Sequence, residues 1–220
     1  SNSLNVEPQI PRASDGISET AWIGQFVRAT YDLGNEWSFM GTVRYDGSSR
    51  FGLNNRFGLF PSFSAAWNLT ERPWFDEKDW IDFFKVRGSW GRNGNAEIGD
   101  YAYNPVIVNG LNYTFGVDQS QTIGSGPVAI ANPDLKWETG EQINFGVDAD
   151  FLDGRWNVIF DIYEKNTIDM LAYVPNPGTA GLEPGPSNVA SARNRGAELA
   201  IGYQGGEGDF TYNLNGNISA

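Results

Sequence analysis

Paired carboxylates are the residues of this sequence that could carry out acid–base chemistry. Asp148 and Asp150 are two residues apart, and Glu138 and Glu141 are three residues apart. A glycosidase places two such groups about 5–9 Å from each other around the scissile bond. The sequence has no histidine and no cysteine, which removes the commonest general base and any thiol nucleophile. Because polar residues also suit one face of a strand, we predict that the protein is not an enzyme.

Two glycine-rich features could hold an ion. Loops with Asp, Asn and Gly supply the hard oxygen ligands that calcium prefers, but the D-x-D-x-D-G spacing of a calcium loop does not occur. Residues 47–52 (GSSRFG) lack the spacing of a phosphate loop and a following helix. We interpret them as an ordinary loop, in which Arg44 and Arg50 pair with acids or line an interior. No metal site and no cofactor is predicted, and bound calcium is left open.

The long segment 92–136 is the best candidate for contact with a ligand. It is rich in aromatic rings, which stack on sugars and peptides, and in Asn amides, which donate and accept hydrogen bonds. The alternative is that these side chains pack on neighbouring loops. The predicted ligand-binding residues are Asn93, Asn95, Tyr101, Tyr103, Tyr113 and Phe115.

Period-two alternation of apolar and polar residues indicates the elements that position these groups. In residues 155–165, Phe160 belongs to an apolar set and Asp161 to a polar set, so the two sets occupy opposite faces of a strand. Asp153-Gly154 is a hairpin signal before this segment. The alternating segments are 23–31, 37–45, 63–69, 84–90, 143–151, 155–165, 197–203 and 210–218. The pattern predicts an all-β protein with antiparallel, up-and-down strands.

Connections of two lengths alternate along the chain. Short turns are predicted at 33–36, 153–154 and 205–208, and long loops rich in Gly, Pro and Asn at 47–60, 93–136 and 168–190. The 69–83 link falls on the short-turn side and is expected to hold a helical turn. Short turns at one end and long loops at the other are typical of an outer-membrane barrel. No run approaches the ~18 apolar residues that a transmembrane helix needs.

The two faces of such strands have different expected surroundings. In a transmembrane barrel the apolar face contacts lipid, the polar face lines the lumen, and aromatic rings lie at the membrane interfaces. The residues predicted to face lipid or to form the aromatic belts are Trp37, Tyr45, Trp67, Trp90, Phe145, Trp156, Phe160, Tyr203 and Tyr212. The residues predicted to face the lumen are Arg44, Arg87, Asp148, Asp150 and Asp161. The alternatives are a small closed barrel of eight strands and a soluble β-sandwich that binds glycans.

The net charge bears on the class of partner, and the two ends of the sequence bear on whether it is an excerpt. A net charge of −12 argues against nucleic acid as a partner, because phosphate binding depends on clustered Lys and Arg. Ser1 to Pro11 have neither the basic nor the apolar region of a signal peptide. The chain stops at Ala220 within a strand pattern, and we therefore expect an excerpt of a longer exported protein.

Several blocks resemble a known family. Residues 44–52 (RYDGSSRFG), 55–62 (NRFGLFPS) and 65–68 (AAWN) are similar to a continuous block of the SusC/RagA-type TonB-dependent transporters. Further blocks in the family's order are 84–95 (FKVRGSWGRNGN), 132–139 (NPDLKWET), 161–171 (DIYEKNTIDML) and 194–199 (NRGAEL). The resemblance covers nearly the entire chain.

The resemblance implies a 22-stranded outer-membrane barrel with a plug in its lumen, to which residues 1–220 contribute about eight strands. It implies uptake of oligosaccharides or peptides, powered by TonB–ExbB–ExbD through the plug and assisted by a SusD-like surface lipoprotein. The expected partners are that lipoprotein, the TonB system, outer-membrane lipid and the substrate. The expected location is the bacterial outer membrane.

Overall fold

Eight long strands form one antiparallel sheet in the computed structural model, which describes residues 19–73, 75, 80–105, 107–117, 120–208 and 210–220. The strands are β1 (Trp22–Leu33), β2 (Trp37–Ser48), β3 (Phe57–Asn68), β4 (Ile81–Asn95), β9 (Glu138–Phe151), β10 (Trp156–Tyr173), β11 (Pro186–Glu207) and β12 (Phe210–Ser219). They pair in the order β1-β2-β3-β4-β9-β10-β11-β12. The predicted all-β, up-and-down fold is confirmed, whereas the signal-peptide interpretation of Ser1 to Pro11 falls outside the described residues.

The connection between β4 and β9 carries four short strands of its own. These are β5 (Ile107–Asn109), β6 (Tyr113–Phe115), β7 (Ser120–Thr122) and β8 (Ser125–Pro127). β5 pairs with β8, and β6 pairs with β7, which makes two successive two-stranded sheets. No helix in the described part of the chain is long and apolar enough to cross a membrane.

The large sheet is open over the residues that the structure describes. β1 and β12 are its two edges, and they do not pair with each other. The alternative of a small closed barrel is therefore wrong for this chain. The alternative of a β-sandwich is also wrong over the same residues, because no second sheet of comparable size faces the first.

All eight predicted segments coincide with observed strands, and only Arg155 and Leu69 fall outside them, by one residue each. The sequence pattern nevertheless underestimates the length of the strands. β10 has 18 residues and β11 has 22, far more than the 9–11 residues that a transmembrane strand needs. Alternation fades near the long-loop end because Glu164, Lys165 and Asn166 make both faces of β10 polar there. A strand with two polar faces has no period-two signal.

The turns have the chemistry that short connections require. Residues 152–154 all have positive φ, at 56° for Leu152, 58° for Asp153 and 70° for Gly154, and they join β9 to β10. The predicted hairpin at Asp153-Gly154 is confirmed. The expected helical turn after β3 is a 3₁₀ turn at Leu69–Glu71, which begins where the Asn68 side chain accepts a hydrogen bond from the Thr70 N–H.

The register separates the chain into two consistent faces. Partners across an antiparallel pair lie on the same face, so paired positions can be followed from strand to strand. One such row contains Trp37, Trp67, Val86, Val147, Phe160, Leu199 and Ile218. The adjacent row on the opposite face contains Ser38, Ala66, Arg87, Gly146, Asp161, Glu198 and Ser219. We call these the apolar face and the polar face.

A separate buried cluster lies at the long-loop end. We call it the rim cluster, and its members are Phe51, Phe60, Ala96, Ile98, Leu135 and Trp137. The ladder between β3 and β4 ends at Ser62 and Gly91, although both strands continue beyond it. The Phe60 ring lies against Gly94 and contacts Trp137 with ring centroids 5.4 Å apart. The cluster thus fills the fork where β3 and β4 separate.

Candidate functional site

One aromatic belt crosses the apolar face near the short turns. Trp37 and Trp67 stack with ring centroids 4.9 Å apart and planes 5° from parallel. Glu36 in the preceding turn accepts hydrogen bonds from both indole N–H groups, at 2.8 and 3.0 Å, and pairs with Arg72 at 2.6 Å. The role of Glu36 was not predicted from the sequence, because only the register brings the two indoles to one carboxylate.

The same belt continues on the apolar face of β10, β11 and β12. Trp156 and Tyr203 are cross-strand partners with ring centroids 4.7 Å apart, and Tyr212 follows 5.9 Å from Tyr203. All three lie close to the short turns that join β9 to β10 and β11 to β12. Amphipathic rings in this position are typical of a membrane interface.

A second belt crosses the apolar face near the long loops. Tyr45 on β2 stacks on Phe57 of β3 with centroids 5.0 Å apart. Tyr45 lies eight residues beyond Trp37 on the same strand, which corresponds to about 26 Å at the rise of a β-strand. The apolar band of outer-membrane barrels is about 25 Å tall. Because a barrel strand is tilted, its length exceeds the height that it spans, and the nine residues from Trp37 to Tyr45 match the 9–11 residues that a tilted strand needs to cross a membrane.

Both belts slope across the hydrogen-bonded rows in the same direction. Trp37 is the belt residue of β2, and the hydrogen-bonded row through it reaches Phe160 on β10, four strands away. The belt residue of β10 is Trp156, which lies four residues nearer the short turns than Phe160. At the belt near the long loops, Tyr45 on β2 lies eight residues beyond this row, toward the long loops. On β10 the apolar run ends only four residues beyond the row, at Glu164. One residue of offset per strand corresponds to a tilt of about 35°, which is the tilt that barrel closure needs.

An ion-pair network occupies the polar face at the centre of β4, β9 and β10. Arg87 binds Asp148 at 3.0 Å and Asp161 at 2.6 Å, and Lys85 binds Asp148 at 2.9 Å. Gly146 lies under this network, and a Cβ on it would be 2.5 Å from the Arg87 Cζ atom. Asp150, two residues from Asp148, accepts a hydrogen bond from Asn157 instead. The carboxylates proposed as a catalytic pair are thus bound to structural partners.

The predicted lumen and lipid sets separate cleanly in the register. Arg44, Arg87, Asp148, Asp150 and Asp161 all lie on the polar face. The nine residues predicted for lipid contact or the belts all lie on the apolar face: Trp37, Tyr45, Trp67, Trp90, Phe145, Trp156, Phe160, Tyr203 and Tyr212. What each face contacts stays a prediction.

Two adjoining concavities lie along the polar face, with volumes of about 450 and 320 Å³. Both are lined by Met40, Ser64 and Ser89. The first also includes Thr30, Asp32, Ser38, Arg87 and Asn144, and the second includes Ser62, Asn93 and Gln142. We call this surface the hydroxyl lane, after the Ser and Thr side chains that lie along it between apolar groups such as Met40. Sequence analysis singled out only Arg87 and Asn93 from it, since an isolated Ser in a strand carries no functional signal.

The six predicted ligand-binding residues do not form one site. Asn93 lines the hydroxyl lane, whereas Asn95 accepts a hydrogen bond from the Glu97 N–H. Tyr103 packs against the rim cluster, and Tyr101 has a φ of 59° in an exposed loop. Tyr113 and Phe115 are exposed on β6 with ring centroids 5.0 Å apart. Their part in ligand binding stays a prediction.

Several residues of the motif blocks have a structural role at the rim cluster, because they connect the loops around it. Arg50 pairs with Asp100 at 3.0 Å, and Asn55 donates to the Asp134 carbonyl at 2.9 Å. Trp137 donates from its indole N–H to the Arg56 carbonyl at 3.2 Å. These contacts join the β2–β3 loop to the β4–β9 segment. Among the described residues, no three acidic side chains converge as a metal site, and calcium binding stays untested.

The open sheet, its two belts and its sloping apolar band define a wall segment of an outer-membrane type of β-barrel. The chain belongs to the TonB-dependent receptor-like β-barrel family, whose family model matches residues 1–220. It is 37% identical over 203 residues to the TonB-dependent receptor SusC of Bacteroides thetaiotaomicron, covering 90% of this chain and 20% of that protein. It is 33% identical over 199 residues to the TonB-dependent receptor P39 of Formosa agariphila, covering 88% and 18%. The resemblance to the SusC/RagA type is confirmed.

Solved structures agree with this assignment. The RagAB peptide importer in its 'open-open' state matches with a TM-score of 0.77 and 29% identity, over 92% of this chain and 22% of that chain. The siderophore receptor PirA of Pseudomonas aeruginosa matches with a TM-score of 0.53 and 16% identity, over 92% and 32%, and shows the fold alone. The chain spans about a fifth of the length of the curated relatives it matches.

Proposed function

We propose that this chain is part of the barrel wall of a bacterial outer-membrane importer, which takes up oligosaccharides or peptides with energy from TonB–ExbB–ExbD. The observation that carries the proposal is the apolar face with two aromatic belts about 26 Å apart by strand rise. An apolar surface of this composition, crossed by nine residues of a tilted strand, suits the hydrocarbon layer of an outer membrane. Membership of the TonB-dependent receptor family supports the same function.

The orientation of the wall follows from solvation. Val27, Phe63 and Leu214 on the apolar face are 74%, 52% and 62% exposed, which would be unfavourable toward water over so large an area. The polar face carries Arg87, Asp148 and Asp161, which would be costly in lipid. The apolar face therefore contacts lipid and the polar face lines the lumen.

The hydroxyl lane supports a polar, largely uncharged cargo. Ser and Thr hydroxyls and Asn and Gln amides donate and accept hydrogen bonds, as sugar hydroxyls and peptide groups require. A peptide is further supported by the structural similarity of this chain to the RagAB peptide importer. Neither cargo needs a catalytic group or a metal in this segment.

The long-loop end of the wall suits contact with a lid. The rim cluster gives this end of the wall a buried core that includes Phe51 and Leu135, both 0% exposed. A rigid rim suits the docking of a surface lipoprotein, and the SusD-like lipoprotein is the partner we propose. The RagAB peptide importer, to which this chain is similar, has been solved in 'closed-closed' and 'open-open' states.

The experiment is a growth test with the intact protein in its host. We expect that deletion of the gene abolishes growth on one oligosaccharide or peptide mixture as the sole carbon source, and that inactivation of TonB has the same effect. The intact protein should also bring a surface lipoprotein with it when it is purified from the outer membrane in mild detergent. Unchanged growth of both mutants on every oligosaccharide and peptide tested would contradict the proposal.

A further inference from the structure

Five charged residues lie on the apolar face just beyond the apolar band. Arg92, Glu141, Asn166 and Arg193 occupy one hydrogen-bonded row across β4, β9, β10 and β11. Glu164 and Arg195 are partners in the next row toward the short turns. Between these rows and the belt at the short turns, the described apolar face of the same four strands carries no charged residue. The charges therefore mark the outer edge of the band.

Positive charge is in excess at this edge. Arg92 pairs with Glu141 at 2.7 Å, whereas Arg193 and Arg195 share Glu164 at 3.6 and 2.6 Å. Three guanidinium groups thus face two carboxylates, in a chain whose net charge is −12. The arginines are also the more exposed partners: the Arg193 and Arg195 side chains are 62% and 66% exposed, against 29% for Glu164.

The three arginines use the same atom toward the protein. Arg92, Arg193 and Arg195 each bind their acidic or amide partner through Nε. Within the described part of the chain, their terminal Nη groups donate no hydrogen bond. A phosphate binds an arginine well through two parallel N–H groups, including the two Nη of the fork. The protein contacts therefore fix each guanidinium and leave its outer donors for a ligand.

The pairing of β10 with β11 is irregular next to this edge. The β10–β11 ladder shifts register between Thr167 and Met170, and Asp169 has a φ of 57°. A concavity of about 560 Å³ lies beside the shift and includes Glu141, Asn166, Ile168 and Arg193. This surface has room for a headgroup next to the arginines.

We propose that Arg92, Arg193 and Arg195 form a binding site for the phosphate groups of an outer-leaflet glycolipid. The inference rests on the proposed function, because only the membrane orientation places these residues at the level of lipid headgroups. The acyl chains of the same lipid lie along Phe145, Phe160 and Ile162, on the apolar face between the arginines and the short turns. Basic residues at a membrane surface attract anionic lipid, and the guanidinium fork adds specificity for phosphate.

The test measures binding of lipid A to the purified intact protein in detergent. We expect the wild type to bind bisphosphorylated lipid A more tightly than lipid A without phosphates. Each of Arg193→Gln and Arg195→Gln should weaken binding about fivefold, and the double variant about 25-fold. Arg28→Gln is the matched control, because Arg28 is an exposed arginine on the polar face that also uses Nε, toward Thr42. It should bind as the wild type does.

Three results would overturn the site. They are equal binding of the two forms of lipid A, wild-type affinity in the double variant, and competition by inorganic phosphate at the concentration of the lipid. The single variants keep the test informative if the double variant does not fold. Outer-membrane location is checked separately: a protein absent from that membrane refutes the proposed function, whereas a resident protein without phosphate preference refutes only this site.

Discussion

At the scale of single residues, the absence of a side chain at Gly146 determines how the polar face is built. The Arg87 guanidinium, on β4, lies over this backbone position and reaches Asp148 on the same strand as Gly146 and Asp161 on β10. A Cβ there would be 2.5 Å from Arg87 Cζ and 2.6 Å from Asp161 Oδ1. No sequence pattern separates this glycine from those of flexible loops, because its role depends on long-range register.

Gly146→Ala should destabilise the intact barrel. The added methyl group forces Arg87 away from two carboxylates on a crowded face, with an expected cost of about 1–3 kcal/mol. The measurement is the unfolding transition in detergent, followed by loss of heat-modifiable migration. Gly88→Ala is the control, because its Cβ would meet only the Asn144 carbonyl at 4.0 Å. Equal stability of the two variants would show that the network is not tightly held.

Ser89 tests the hydroxyl lane at the same scale. Ser89→Phe places a ring in both concavities, and we expect a several-fold slower uptake of the oligosaccharide or peptide that supports growth. Val86→Phe, three residues away on the apolar face of β4, should leave uptake unchanged. Radiolabelled uptake in the host measures both. Normal transport through the Ser89→Phe variant would place the cargo path elsewhere.

At the scale of elements, period-two alternation predicts all eight strands because the polarity of the side chains differs between their two faces. The pattern stops where that difference ends, so the extensions of β10 and β11 beyond the band were not predicted. The rim cluster was also not predicted. Its members come from four separate parts of the chain, at Phe51, Phe60, residues 96–98 and residues 135–137, and short motifs do not reveal which loops meet.

Phe160 lies at the centre of the apolar band, four residues from Trp156 and four from Glu164. Phe160→Arg should therefore destabilise the folded protein in lipid by about 2–4 kcal/mol. Asn157→Arg on the polar face of the same strand is the control, because it stays beside Asp150 in the lumen and should cost much less. Folding into lipid vesicles with urea measures both free energies. Similar values for the two variants would contradict the assignment of faces.

At the scale of the whole molecule, β1 and β12 leave two open edges that the described residues do not pair. Unpaired backbone groups are not tolerated in the hydrocarbon layer. The matched relatives are about five times longer than this chain, which leaves room for further strands that would pair these edges. We expect residues 1–220 alone not to insert into vesicles as a heat-modifiable barrel, whereas the intact protein does. A heat-modifiable band from the isolated 220 residues would contradict this expectation.

The most direct test of the account asks which face of β10 contacts lipid. These 220 residues contain no cysteine. In the intact protein, with any cysteine elsewhere in its chain replaced by serine, single cysteines are placed at Val158 or Phe160 and at Asn157 or Ile159 and labelled with a fluorophore. We expect brominated acyl chains to quench the labels at 158 and 160 but not those at 157 and 159. Equal quenching at all four positions, or quenching at 157 and 159 alone, would contradict the assignment of the apolar face to lipid.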